Sequence, residues 1–205
     1  MNRVQTFSLG ALGTNCHILY DADGQAVIVD CDGRGREVEV FVEQQQLRVQ
    51  LIALTHGHFD HIGAVQTLRE RYGCPVCIGR KEQVLLASPA LNLSEEMARR
   101  PLSLTADQTV VDGDTFDIGR MHWRVLHTPG HTAGSVCYAV DRFLVSGDTL
   151  FAGSCGRTDF PTGNPGAMHD SLQRLAALEG DYTVLPGHGG TSTLSWERVH
   201  NPYMR

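Results

Sequence analysis

The sequence predicts a layered α/β protein, in which apolar strand-like runs alternate with amphipathic helical segments along 205 residues. Two observations predict it. The first is Leu51-Ile52-Ala53-Leu54-Thr55, a run with the length and bounds of a buried strand. It leads into His56-Gly57-His58-Phe59-Asp60-His61, and residues 62 to 72 then read as a helix. The second is a set of three further strand-like runs, each ending in a His or Asp beside a Gly or Pro. Trp123-Arg124-Val125-Leu126 precedes Thr128-Pro129-Gly130-His131, Phe143-Leu144-Val145 precedes Gly147-Asp148, and Thr183-Val184-Leu185 precedes Pro186-Gly187-His188. Gly and Pro bend the backbone out of a strand, and in layered α/β folds the loops past strand ends are where sites collect.

The remaining elements follow in order. Residues 2 to 9, 14 to 20 and 25 to 30 read as strands, the last two joined by a hairpin turn at Ala22-Asp23-Gly24. Val38, Phe41 and Val42 stand at helical spacing within residues 36 to 46. A short strand over 76 to 78 and a short helix near 81 to 87 lead into a polar segment from Ser88 to Asp107. Strand-like runs return at 108 to 118, 121 to 127, 135 to 140 and 142 to 147, with Asp112-Gly113-Asp114 read as a hairpin turn. A helix over about 167 to 179, a strand at 183 to 185 and a helix capped by Ser192 or Thr193 complete the chain. No linker, low-complexity tract or solenoid period interrupts it, so residues 1 to 205 are expected to form one domain.

Composition narrows the partners. The net charge is −6 with no basic stripe, which argues against nucleic acid. Arg99-Arg100 reads as a solvated loop pair. No basic region leads into an apolar segment at the N-terminus, and no run approaches the roughly 18 apolar residues of a membrane span, so a cytoplasmic protein without membrane contact is expected. The six cysteines are scattered, without a disulfide framework's density. Cys74-Pro75-Val76-Cys77 has no second pair to complete a tetrahedral site and reads as two inert, small apolar side chains.

The ligand chemistry is more specific. Two imidazoles one residue apart in an extended loop, His56 and His58, can point at one ion. Asp60 and His61 follow as the chain turns into a helix and can serve a second ion beside it. Solvated loop histidines with an N-cap aspartate would explain this stretch alone, but not the ligand types at three other strand ends. Two divalent ions need about that many protein ligands together with a bridging carboxylate and water, so a dinuclear centre is expected.

The order H-x-H-x-D-H, then H, D and H at strand ends, resembles the metallo-β-lactamase superfamily, and more narrowly its small glyoxalase II-like hydrolases. The resemblance runs nearly end to end and includes Thr14-Asn15-Cys16, Val29-Asp30, Gly156-Arg157-Thr158-Asp159-Phe160-Pro161 and Pro186-Gly187-His188-Gly189. It implies a four-layer α/β/β/α sandwich with the site along one edge of two sheets. It also implies that His56, His58 and His131 hold the first metal, that Asp60, His61 and His188 hold the second, and that Asp148 bridges them. Asp30 would stand behind the ligands and orient the metal loop. The metals would be two zinc ions, with iron or manganese as alternatives for this donor set.

The activity so implied is hydrolysis of a small-molecule thioester, such as S-lactoylglutathione, by a hydroxide shared between the two metals. Asp60 would act catalytically by positioning the nucleophile's proton. Arg157 and Phe160 are candidate substrate contacts, although an Arg157–Asp159 pair could equally pin their loop. Only 17 residues follow His188, so a glutathione group would be held by loops of the core, with Ser88 to Asp107 as one candidate. A mononuclear iron persulfide dioxygenase, using His56, His131 and Asp148, is the first alternative, and a non-enzymatic metal-binding domain the second. A β-lactamase is not expected, because no signal segment is visible and Asp148 stands where those enzymes use no bridging aspartate. His17, His122, His169 and His200 read as packing or surface residues, and His127 stays outside the ligand set.

Overall fold

The computed structural model describes residues 2–98 and 100–205. Arg99 of the Arg99-Arg100 pair lies outside the described residues. The first half of the chain builds β1 (Arg3–Leu9), β2 (Thr14–Tyr20), β3 (Gln25–Val29), α1 (Arg36–Gln44), β4 (Arg48–Leu54), α2 (Phe59–Ile62), α3 (Val65–Tyr72), β5 (Val76–Gly79), α4 (Gln83–Ala87), α5 (Ser94–Met97) and β6 (Gln108–Val110). The second half builds β7 (Thr115–Ile118), β8 (Met121–His127), β9 (Val136–Val140), β10 (Phe143–Gly147), β11 (Leu150–Phe151), β12 (Ser154–Cys155), α6 (Pro165–Ala176), β13 (Thr183–Pro186), β14 (Ser192–Thr193) and α7 (Leu194–His200).

Two six-stranded sheets result, ordered β1-β2-β3-β4-β5-β6 and β14-β13-β10-β9-β8-β7. Three apolar clusters give the layering. Between the sheets, Val27, Val29, Leu51 and Ala53 pack against Trp123, Val125, Tyr138 and Val145. Val38, Val42 and Leu68 of α1 and α3 cover the outer face of the first sheet. Met168, Leu172 and Leu194 of α6 and α7 cover the second. Strands buried on both faces read as continuous apolar runs rather than alternating ones, as Leu51 to Leu54 does. The α/β/β/α sandwich is therefore the observed fold.

Two local readings need correction. Asp112-Gly113-Asp114 does not close a hairpin, because β6 belongs to the first sheet and β7 to the second. The turn is real, with Asp114 N donating to Val111 O (3.2 Å) and Val111 N to Asp114 Oδ2 (2.8 Å), but it carries the chain from one sheet to the other. The 62 to 72 helix begins earlier than expected and is interrupted. Cys31 N donates to His61 O (2.8 Å) and Ala64 N donates to Cys31 O (3.0 Å), so the loop after β3 takes bonds that a continuous helix would have made. Within the polar Ser88–Asp107 segment, Asn92 and Ser94 are fully buried, and Phe59 N donates to Asn92 O (2.9 Å). The segment backs the metal loop and contains a short helix that the polar sequence did not suggest. Cys74 and Cys77 are free and buried, and burial pushes the Cys77 thiol up to about 12.

Candidate metal centre

The loops past the carboxyl ends of β4, β8, β10 and β13 converge on one edge of the two sheets. His56, His58 and His131 form a first group, each offering one nitrogen within 4.8 Å of the others. His58 Nδ1 lies 2.9 Å from His131 Nε2, and the three rings stand nearly edge to face. Asp60, His61 and His188 form a second group under the same distance limit. His188 Nε2 is 3.3 Å and His61 Nε2 is 3.5 Å from Asp60 Oδ2. Asp148 stands between the groups. Its Oδ2 lies 3.5 Å from His131 Nε2 and 3.6 Å from His188 Nε2, and its Oδ1 lies 3.5 Å from His61 Nε2. All seven ligand-type residues expected from the sequence are thus brought together.

The surrounding side chains fix which atoms face inward. Asp30, 1% exposed, accepts from Thr55 N (2.9 Å), from Thr55 Oγ1 (2.7 Å) and from His61 Nδ1 (2.9 Å). The Thr55 hydroxyl, having donated to Asp30, accepts from His56 Nδ1 at 3.0 Å. His131 Nδ1 donates to Arg157 O at 2.7 Å. One ring nitrogen of each imidazole is occupied outward, which leaves Nε2 of His56, His61 and His131 for the cluster. Gly187 permits the close approach, since a Cβ there would fall 2.1 Å from Asp148 Oδ1 and 2.8 Å from His61 Cε1.

A second set of contacts was not visible from sequence. The Thr14 hydroxyl donates to Asp60 Oδ2 at 2.8 Å, and Thr14 makes an isolated bridge with His188. Asn15 Nδ2 donates to Pro186 O (3.0 Å) and Gly189 O (2.9 Å), while His17 Nε2 donates to Pro186 O (3.0 Å). The start of β2 therefore holds the His188 loop, and His17, read as packing, is a tether for it. Burial keeps His17 neutral, with its pKa lowered to about 4. His122, His169 and His200 are exposed, as expected for surface residues. His127 donates to Ala133 O (3.0 Å) and belongs to no metal-type group among the described residues.

The residues present fit divalent metal ions. Among the described residues, six buried side-chain polar atoms lack a hydrogen-bond partner, and four of them are His56 Nε2, His58 Nε2, His61 Nε2 and Asp148 Oδ1. An unpaired buried polar group costs about 1–3 kcal/mol, so four in one cluster mark a place built for cations. The titration of the metal-free cluster agrees. Burial and the neighbouring imidazoles hold His56 well below its ordinary value and lower His58 to about 3. Burial acts against protonation of His61 too, but Asp60, Asp148 and Asp30 outweigh it and raise this pKa to about 10. Burial pushes the Asp60 carboxyl up, and His61, His188 and Thr14 more than offset that, holding it well below the carboxylate range.

A proton on His61 thus occupies the second group when no ion does. A metal needs the neutral imidazole, so binding there at pH 7 should release about one proton per ion and tighten as pH rises toward 10. Calorimetric titration in buffers of different ionisation enthalpy measures this; an enthalpy independent of buffer would contradict it. In the metal-free protein the same raised pKa contributes stability that is fully present below about pH 6.5 and fades as pH climbs through about 10.

The rim is aromatic. The Phe160 ring meets His58 edge-on with centroids 5.8 Å apart, and Phe151 meets His188 at 6.1 Å. Arg157 lies over Phe160, 3.9 Å from its centroid, and makes two hydrogen bonds to Asp159 (2.6 and 2.7 Å). The pair holds the loop that carries the carbonyl partner of His131.

Residues 9–188 match the model of the metallo-β-lactamase superfamily. The chain belongs to that superfamily. Among its relatives, the hydroxyacylglutathione hydrolase GloC of Haemophilus influenzae is 29% identical over 98% of this chain and 97% of its own length. Among solved structures, that of the B3 metallo-β-lactamase BLEG-1 has a TM-score of 0.93 at 37% identity, covering 98% of this chain and 99% of the other. That of ETHE1 from Myxococcus xanthus has a TM-score of 0.81 at 29% identity, covering 98% and 83%. The fold is shared with both solved structures, and the expectation against a β-lactamase now stands beside a neighbour described as one. No helix among the described residues is long and apolar enough to cross a membrane.

Proposed function

We propose that this metallo-β-lactamase superfamily protein is a dinuclear metal-dependent hydrolase of small-molecule thioesters, of the hydroxyacylglutathione type. The observation that carries the metal reading is the set of four buried, unpartnered polar atoms on the candidate ligands His56, His58, His61 and Asp148. Likeness to GloC along nearly the whole chain supports the thioester. His56, His58 and His131 would hold one ion, Asp60, His61 and His188 the other, and Asp148 would reach both; nitrogen and carboxylate donors suit zinc, iron or manganese. Bound ions of this kind make a water acidic near pH 7 and polarise a carbonyl oxygen.

The chain's own groups do the rest. Asp60, held by Thr14 and His188, orients the proton of the attacking water. Asp30 keeps His61 turned inward through its Nδ1. A thiol has a pKa of about 8.5 and leaves readily as thiolate, so no strong acid is required. The cluster offers none, since Asp30, Asp60 and Asp148 are each engaged by histidines. Arg157 and Phe160 would border the thiol half of the substrate. A carboxylate on that thiol must compete with Asp159 for Arg157.

Two other reactions have support. Hydrolysis of a β-lactam is favoured by the likeness to BLEG-1. Persulfide dioxygenation at a single iron is favoured by His131 lying beside both His56 and Asp148. The deciding experiment assays metal-replete protein against S-lactoylglutathione, nitrocefin and glutathione persulfide in parallel. Thiol release at the highest kcat/KM supports the thioesterase; nitrocefin opening or oxygen uptake at the higher value would replace it with the corresponding alternative.

A further inference from the structure

Glu82 has no place in the reaction just described, yet it is a carboxylate only 1% exposed. Burying an ionisable group is costly unless its oxygens are hydrogen-bonded. Here the partners are informative. Oε2 accepts from the backbone N–H of Gly57 at 3.0 Å, and Oε1 accepts from that of Gly134 at 2.8 Å. Gly57 sits between His56 and His58, and Gly134 lies three residues past His131. One carboxylate therefore joins the two separate loops that carry the first triad, and its partners are backbone N–H groups rather than a cation.

The surrounding packing requires that joint. A Cβ on Gly134 would fall 2.6 Å from Glu82 N and 2.8 Å from Glu82 Oε1. A Cβ on Gly57 would fall 2.9 Å from Leu85 Cδ2 and 3.2 Å from Leu86 N. Residues 82–86 thus press directly on both metal loops, and a glycine stands at each contact. The second triad has a different support, the Thr14 to His17 start of β2. Each triad has its own brace.

We infer that Glu82 is a positioning residue for the first metal site: its carboxylate sets the separation between the His56–His58 loop and the His131 loop. This rests on the reading that these three histidines hold a metal ion. Glu82→Gln tests it, because the amide keeps the shape but turns one acceptor into a donor facing a backbone N–H. Metal-free protein is titrated with cobalt, followed by absorption and by competition with a chelator, for wild type, Glu82→Gln and Thr14→Val. In Glu82→Gln, affinity at the first site should fall by about 10–100-fold, with an altered cobalt spectrum and the second site unchanged. Thr14→Val should do the reverse.

Wild-type affinity and spectrum at both sites in Glu82→Gln, even with a lowered melting temperature, would reduce Glu82 to a structural residue and overturn the inference. A wild type that binds no cobalt at His56, His58 and His131, as judged against His58→Ala, would overturn the metal reading itself. If Glu82→Gln does not fold, amide exchange in the wild type decides. Gly57 and Gly134 N–H should be protected together and shift together with the first equivalent of metal; independent behaviour of the two would contradict the brace.

Discussion

Replacing Asp60 by Asn should lower thioester turnover by about 10²–10⁴-fold while leaving the fold intact. The amide preserves size and can still accept from Thr14, so the contact at 2.8 Å between Thr14 and position 60 survives. What is lost is the negative charge beside His61 and His188 and, on the proposed mechanism, the orientation of the attacking water. Binding of the second metal should weaken too, since His188 Nε2 faces Asp60 Oδ2 at 3.3 Å. Steady-state kinetics at saturating metal separates the two effects. A variant with near-wild-type kcat under those conditions would remove Asp60 from the chemistry.

Asp30→Ala should have the largest effect on stability. The substitution leaves three buried donors without an acceptor: Thr55 N, Thr55 Oγ1 and His61 Nδ1. Breaking a buried charged network by deleting one partner costs about 3–5 kcal/mol. Asp30 also has a left-handed backbone, φ 51°, which alanine tolerates less well than aspartate. Denaturant unfolding of the metal-free protein measures this loss. Metal affinity at the second site should fall by a further 10–100-fold or so, because His61 is no longer held in one tautomer. An Asp30→Ala protein as stable as wild type would show that Asp30 is not the post on which the metal loops hang.

Much of this centre is legible in the sequence because its ligands announce themselves locally. His56 to His61 sit in six residues after an apolar strand, and Asp148 and His188 each follow a strand and a glycine. The four-layer fold came with the resemblance those residues carry, and the three apolar clusters bear it out. The supports of the ligands were not legible. Glu82 lies in Arg80-Lys81-Glu82-Gln83, which has the composition of a solvated turn, and only its partners at Gly57 and Gly134 give it meaning. The signal that could have pointed there is a glycine inside each metal loop at a position no turn type requires.

Thr14 reaches Asp60 across 46 residues, a pairing that spacing does not reveal. The turn at Asp112-Gly113-Asp114 shows the same limit. Local turn chemistry is identical whether two strands pair or part to different sheets, and only distant partners decide. His17 is buried, as its packing reading expected, but an imidazole in an alternating strand carries no mark of the carbonyl it will meet, here that of Pro186.

The most direct test of the central claim is a metal titration of the metal-free protein followed by thiol release from S-lactoylglutathione. Two triads sharing Asp148 predict that turnover rises to its plateau at two equivalents of metal per chain, with His188→Ala held far below that plateau at any ratio. Full activity at one equivalent, unaffected by His188→Ala, would contradict a dinuclear hydrolase and favour a single-metal site at His56, His131 and Asp148.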